Sequence, residues 1–208
     1  QCVDSSSVHF SVFANPSSEF ILQNTCEMLE VSYVPLDLDM NNNYRWSFGD
    51  GTFINQLNAN HRYLTAGNYV VSLEVTNING CTSQTSKSLV VYSKPLANFT
   101  QDEVCLGTST QFTNRSVGSH LNYSWLFDQN VTSNLLNPTY SFANTGVFPV
   151  QLVVVDNNHC RDTLLSSVIV KALPTFQNTN IQTCGTEYTI DATDATDVNA
   201  SFRWLPSN

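Results

Sequence analysis

The feature that most constrains this chain is a step of 79 residues. Trp46, Trp125 and Trp204 stand that far apart, and so do Pro16, Pro95 and Pro174. The cysteines fall into two series with the same step, Cys2, Cys81, Cys160 and Cys26, Cys105, Cys184. Lesser landmarks agree: Tyr44, Tyr123 and Phe202; Phe20 and Phe99; Gly67 and Gly146; Tyr69 and Phe148. Independent residue types that share one period mean one structural unit repeated along the chain. The grid divides the sequence into the end of a preceding module (1–15), two whole modules (16–94 and 95–173) and the start of a further one (174–208). The expectation is a piece of a longer array.

Within each module the pattern is that of strands. "NYVVSLEVTN" alternates polar and apolar residues and runs into Asn79-Gly80, a hairpin signal, with "KSLVVYSK" as the return strand. "VFPVQLVVVD" and "SSVIVKAL" occupy the same places one step later. "VSYVPL" and "TSTQFTN" read as earlier strands, and "YRWSF" and "YSWLF" put a large aromatic at one inward position. No segment carries a helical period over ten or so residues. Short strands with regular turns predict an all-β fold, a tandem array of β-sandwiches.

Composition narrows the partners. Charged residues make up 12% of the chain, against about 25% in ordinary soluble domains. Asn, Ser and Thr take their place, which suits neutral polar faces exposed outside the cell. A net charge of −9 with eight Lys and Arg argues against nucleic acid and anionic membranes as partners. No run approaches the roughly 18 apolar residues of a membrane span. The opening "QCVDSSSVHF" lacks the basic start and apolar core of a secretion signal, so a mature or excised segment is expected.

The stretch Trp46, Phe48, Gly49, Asp50, Gly51, Thr52, followed by "HRYLTAGNYVVSLEV", resembles PKD modules, immunoglobulin-like sandwiches of surface and secreted proteins. The second module keeps Trp125, Phe127, Gly146 and "NPTYSFANTGVFPVQLVVV" but replaces Gly-Asp-Gly with "DQN" at Asp128–Asn130. The last segment, "RWLPSN", has drifted toward related Ig-like modules. With "TC" or "VC" before the second strand and "NGC" after the last hairpin, the modules are similar to those of very large Bacteroidota surface proteins. That resemblance implies export by type IX secretion and a role among gliding-motility adhesins. It implies no particular ligand.

Gly49, Asp50 and Gly51 read as a turn whose carboxylate accepts backbone N–H groups, and Trp46, Trp125, Trp204, Phe48 and Phe127 as core anchors. His159-Cys160 has the form of a base beside a nucleophile, but Cys160 belongs to the repeating series. His9, His61 and His120 stand apart. No enzymatic motif is present, and no enzyme activity is expected. Two acidic loops, "LDLDMNNN" with Asp37 and Asp39 and "DATDATD" with Asp191 and Asp194, are the calcium candidates. They lack the glycine and terminal glutamate of an EF-hand, so a solvated loop is the plainer reading and no cofactor is expected. Asp162-Thr163-Leu164 fits the O-glycosylation pattern that the family resemblance implies, with Thr163 the acceptor.

Six gridded cysteines in a chain of this character read as disulfides. In a sandwich with alternating strands, Cys26 and Cys105 precede the second strand at one end of their modules. Cys81 and Cys160 follow the last hairpin at the other end. A strand of seven or eight residues covers about 25 Å, whereas bonded cysteines need Cα atoms within about 7 Å. Pairing sequence neighbours (Cys2–Cys26, Cys81–Cys105, Cys160–Cys184) fails on that count. Cys26–Cys81 and Cys105–Cys160 are strained but match the habit of small domains to bond internally. Cys26–Cys160, tying one module to the next, fits the strand directions and is favoured; the pairing stays open. A bond of that reach is worth about 4–5 kcal/mol on the chain-entropy account.

The sequence thus reads as a stalk or spacer of an extracellular cell-surface adhesin, partnered by neighbouring modules of its own chain. The alternatives are a module that binds surface polysaccharide or another cell-surface protein, and an accessory domain of a secreted hydrolase.

Overall fold

The computed structural model describes residues 7–173. Cys2, Cys184, Trp204, Pro174, Asp191 and Asp194 lie outside the described residues. Among the described residues the fold is all-β, with a single 3-10 turn at Asp128–Asn130. None of its helices is long and apolar enough to cross a membrane.

Two compact units are present. The first takes in residues 7–97 with two turns of the second repeat, Ser116–Asn122 and Val154–Thr163. Its strands are β1 (Thr25–Cys26), β2 (Glu30–Tyr33), β3 (Asn43–Ser47), β4 (Phe53–Ile54), β5 (Ala59–Arg62), β6 (Gly67–Thr76) and β7 (Thr82–Tyr92). They form a five-stranded sheet in the order β1-β7-β6-β3-β4 and a second layer in which β2 pairs with β5. The alternation of β6 buries Val71, Leu73 and Val75, while the residues between them stay part-exposed. Phe20 and Tyr33 meet Trp46 from the other layer, with ring centroids 5.1 and 5.9 Å away.

The second unit spans Asn98–Arg115, Tyr123–Val153 and residues 164–173. The second repeat supplies β8 (Phe99–Gln101), β9 (Val104–Cys105), β10 (Thr110–Asn114), β11 (Asn122–Leu126), β12 (Thr132–Ser133), β13 (Thr139–Tyr140), β14 (Gly146–Val155) and β15 (Arg161–Lys171). These make sheets in the orders β12-β11-β14-β15-β9 and β13-β10-β8. Val150, Leu152 and Val154 of β14 are buried at the positions of Val71, Leu73 and Val75 one step earlier. Trp125 is fully buried, as Trp46 is, and Phe99 and Phe112 stand against it as Phe20 and Tyr33 stand against Trp46.

The hairpins repeat down to single hydrogen bonds. Between β6 and β7 the Asn77 side chain accepts from Asn79 N and Cys81 N, both at 3.0 Å, with Gly80 left-handed at φ 80°. Asp156 accepts from Asn158 N and Cys160 N in the later copy, with His159 left-handed at φ 64°. The hairpin expected at Asn79-Gly80 is therefore present, but its loop is longer than a two-residue turn. The side-chain cap supplies the acceptor that the loop backbone lacks.

Candidate functional site

Two constellations stand out, both toward the end of the first unit where β6 begins and β7 ends. At the first, Cys26 and Cys160 form a disulfide with Cα atoms 5.7 Å apart and 134 residues between them in sequence. In sequence the bond ties one repeat to the next; in the structure it is internal to the first unit. The alternatives Cys26–Cys81 and Cys105–Cys160 are not formed, for a plain geometric reason. Cys26 is in register with Tyr92, at the far end of the eleven-residue β7 from Cys81. Cys105 is likewise in register with Lys171, at the far end of β15 from Cys160. Such a strand covers about 35 Å, several times the reach of a disulfide. Cys81 and Cys105 are free, half-buried thiols.

Polar contacts surround the bond. Glu27 accepts from Lys94 N at 2.9 Å and from Ala66 N at 3.0 Å. Lys94 Nζ reaches Asp162 Oδ1 at 2.6 Å, and Ala97 N donates to Asp162 Oδ2 at 2.8 Å. Burial raises the Asp162 pKa, but the bonds from Lys94, Ala97 and Thr163 outweigh it and hold the carboxyl below its ordinary value. No spacing rule in the sequence joins this cluster, because its bonded partners lie 39 or more positions apart. Thr163, the candidate O-glycan acceptor, is exposed on β15 beside Asp162.

The second constellation is the Gly-Asp-Gly corner. Asp50 Oδ1 accepts from Thr52 N at 3.0 Å and Thr52 Oγ1 at 2.6 Å, while Oδ2 lies 2.7 Å from His61 Nε2. The His61 ring stacks on Phe48 at 4.2 Å, and Tyr63 donates its hydroxyl to Phe48 O at 2.9 Å. Burial works against ionisation of Asp50, yet the Thr52 and His61 contacts leave its pKa lowered. Burial raises the Tyr63 pKa, so that phenol stays a donor. Gly49 has no alternative: at φ 78° an added Cβ would sit 2.7 Å from Val70 O and 2.8 Å from Val70 N, both backbone atoms. The sequence reading placed the turn but not His61. The signal was in "HRY", whose alternation along β5 and into the residue after it puts His61 and Tyr63 on one face.

The remaining candidates are not brought together into a site. Cys160 spends its sulfur on Cys26, so it is no nucleophile for the exposed His159. Asp37 and Asp39 lie exposed between β2 and β3, and Asp39 Oδ1 accepts from Asn41 N and Nδ2 at 3.0 and 2.9 Å. Among the described residues no group of three or more His, Cys, Asp or Glu is placed to hold a metal.

Two packed sheets, an aromatic column between them and a turn closing on Gly-Asp-Gly define an Ig-like β-sandwich module, here in tandem. The PKD domain family model matches residues 32–91 and 92–170, and the chain belongs to that family. Collagenase ColA of Clostridium perfringens is 41% identical over 61 residues, which is 29% of this chain and 6% of that protein. The chain thus spans a small part of that curated relative's length. Among solved structures, the PKD1 domain of Vibrio cholerae metalloprotease PrtV is 30% identical, covering 38% of this chain and 98% of the domain at a TM-score of 0.35. The PKD1 domain of Vibrio anguillarum Epp is 26% identical, covering 38% of this chain and 96% of the domain at a TM-score of 0.36. Family and disulfide together are those of a secreted or extracellular protein.

Proposed function

We propose that this chain is a load-bearing spacer within a large cell-surface adhesin, of the kind Bacteroidota export by type IX secretion for gliding motility. It holds distal parts away from the cell and performs no chemistry itself. The observation that carries this reading is the reach of the Cys26–Cys160 bond. A pull applied outside those two cysteines passes through the sulfur bridge and leaves the 134-residue interval slack. Strands β2 to β14, with both described tryptophans, lie inside that interval. Neutral polar faces suit a long exposed chain that must not associate with itself.

Stretching single 208-residue molecules by their ends tests it. Added reductant is expected to lengthen the releasable contour by about 450 Å, from the 134 residues of the interval at about 3.4 Å each. Equal contour release with and without reductant overturns the reading.

Two other readings each have one observation behind them. A surface cleft of about 640 Å³, bordered by Asn42, Asn43, Arg45, Gln56 and Glu74, offers amides and charges to a polysaccharide or a surface protein. The Arg45 guanidinium lies over the exposed Phe53 ring at 4.8 Å on the same sheet. A glycan array on the isolated chain decides that reading. Likeness to a stretch of a collagenase supports the third, an accessory module of a secreted hydrolase. A catalytic domain elsewhere in the full-length protein is what it requires.

A further inference from the structure

The two free thiols, Cys81 and Cys105, occupy the places of the two bonded ones. Each is held in the same way. Cys105 is in register with Lys171, and Leu106 N donates to Lys171 O at 2.8 Å. In the bonded copy Cys26 is in register with Tyr92, and Glu27 N donates to Tyr92 O at 2.9 Å. The turn that follows contains a left-handed residue in both, Met28 and Gly107. Cys81 N donates to Asn77 Oδ1 as Cys160 N donates to Asp156 Oδ1.

A second observation shows what faces Cys81. Its Sγ lies 3.8 Å from Phe13 O, and Asn77 Nδ2 donates to Ala14 O at 2.9 Å. Phe13 is the counterpart, one step earlier, of Tyr92, the residue opposite Cys26. Further along, Ser18 Oγ meets Ser83 Oγ at 3.1 Å, where the later copy joins Ala97 N to Asp162. The segment from Phe13 to Ser18 therefore runs past the Cys81 hairpin as Tyr92–Ala97 runs past the Cys160 hairpin. Cys81 sits beside the spot where a preceding repeat's counterpart of Cys26 would stand.

From these two observations we infer that Cys81 and Cys105 are half-sites of the same staple. Cys81 bonds a cysteine of the preceding repeat and Cys105 one of the following repeat, each 134 residues away, as Cys26 is from Cys160. Successive staples overlap, so every repeat is bridged to both of its neighbours. Each bond forms by thiol–disulfide exchange with a disulfide-bearing oxidant. Two thiols lose two protons and two electrons, one protein S–S bond forms, and the oxidant's S–S bond is reduced to two thiols. The inference rests on the Cys26–Cys160 staple, not on the load-bearing role proposed for it.

The test is non-reducing peptide mapping of the full-length chain, its free thiols capped with N-ethylmaleimide at harvest. The expected result is a Cys26–Cys160 peptide together with Cys81 joined to the preceding repeat and Cys105 to the following one. In a Cys81→Ser variant, one cysteine of the preceding repeat alone gains the cap. Four results overturn the inference: capped Cys81 and Cys105, a Cys81–Cys105 bond, a Cys2–Cys81 bond, or a reductant-sensitive dimer of two chains. Any of these beside an intact Cys26–Cys160 peptide leaves the spacer reading standing. Loss of that peptide removes both.

Discussion

The two repeats solve the same corner differently. In the first, Asp50 and His61 close the turn through an ionisable pair, and the His61 ring stacks on Phe48. In the second, the ring at the equivalent place is Tyr140, stacked on Phe127 at 4.8 Å, and its hydroxyl donates to Asp128 O at 3.3 Å. Gly51 becomes Asn130 but stays left-handed, at φ 62° against 93°. Asn tolerates that region because its short polar side chain bonds locally. Where Gly49 threads against the Val70 backbone, the second copy inserts a 3-10 turn beginning at Asp128. What the fold requires at this corner is a ring on the aromatic column and a turn that reverses the chain; the Asp50–His61 contact is one way of meeting that demand.

The comparison can be broken most decisively at the shared column. Trp46→Ala and Trp125→Ala each empty a fully buried site, and each is expected to cost about 3–5 kcal/mol in urea unfolding. A loss under about 1.5 kcal/mol in one repeat alone would mean that the columns are not equivalent. Next comes the turn itself. Gly49→Ala forces a Cβ onto backbone at positive φ and is expected to lose at least about 2 kcal/mol. Asp128→Ala at the matching position should stay within about 0.5 kcal/mol. Equal effects would show that the two turns carry the same strain.

The finest distinction is acid sensitivity. The folded-state pKa of Asp50 is lowered, so its contribution is present above the unfolded value, near 3.8, and is lost as pH falls through the folded one. Asp162 has the same direction of shift and follows the same rule. Asp50→Asn should therefore lower stability at neutral pH by about 1–2 kcal/mol. It should also flatten the loss of stability below about pH 4. The remaining acid limb should disappear with Asp162→Asn. A steep limb that survives both substitutions would place the acid sensitivity elsewhere.

The sequence by itself determined the architecture. A 79-step grid of tryptophans, cysteines and prolines with alternating strands leaves few options besides repeated sandwiches, because large aromatics and period-2 patterns dictate which faces are buried. The turn role of Asp50 was legible for the same reason, since glycine on both sides of an Asx residue has a local cause. The tertiary structure alone decided which sulfur meets which and what completes each corner. His61 reaches Asp50 only because β5 folds back toward the turn after β3. Lys94, Glu27 and Asp162 converge only because a hairpin of the second repeat lies in the first unit. Local periodicity sets the direction of a side chain; a partner far along the chain depends on how strand lengths and turns add up in three dimensions.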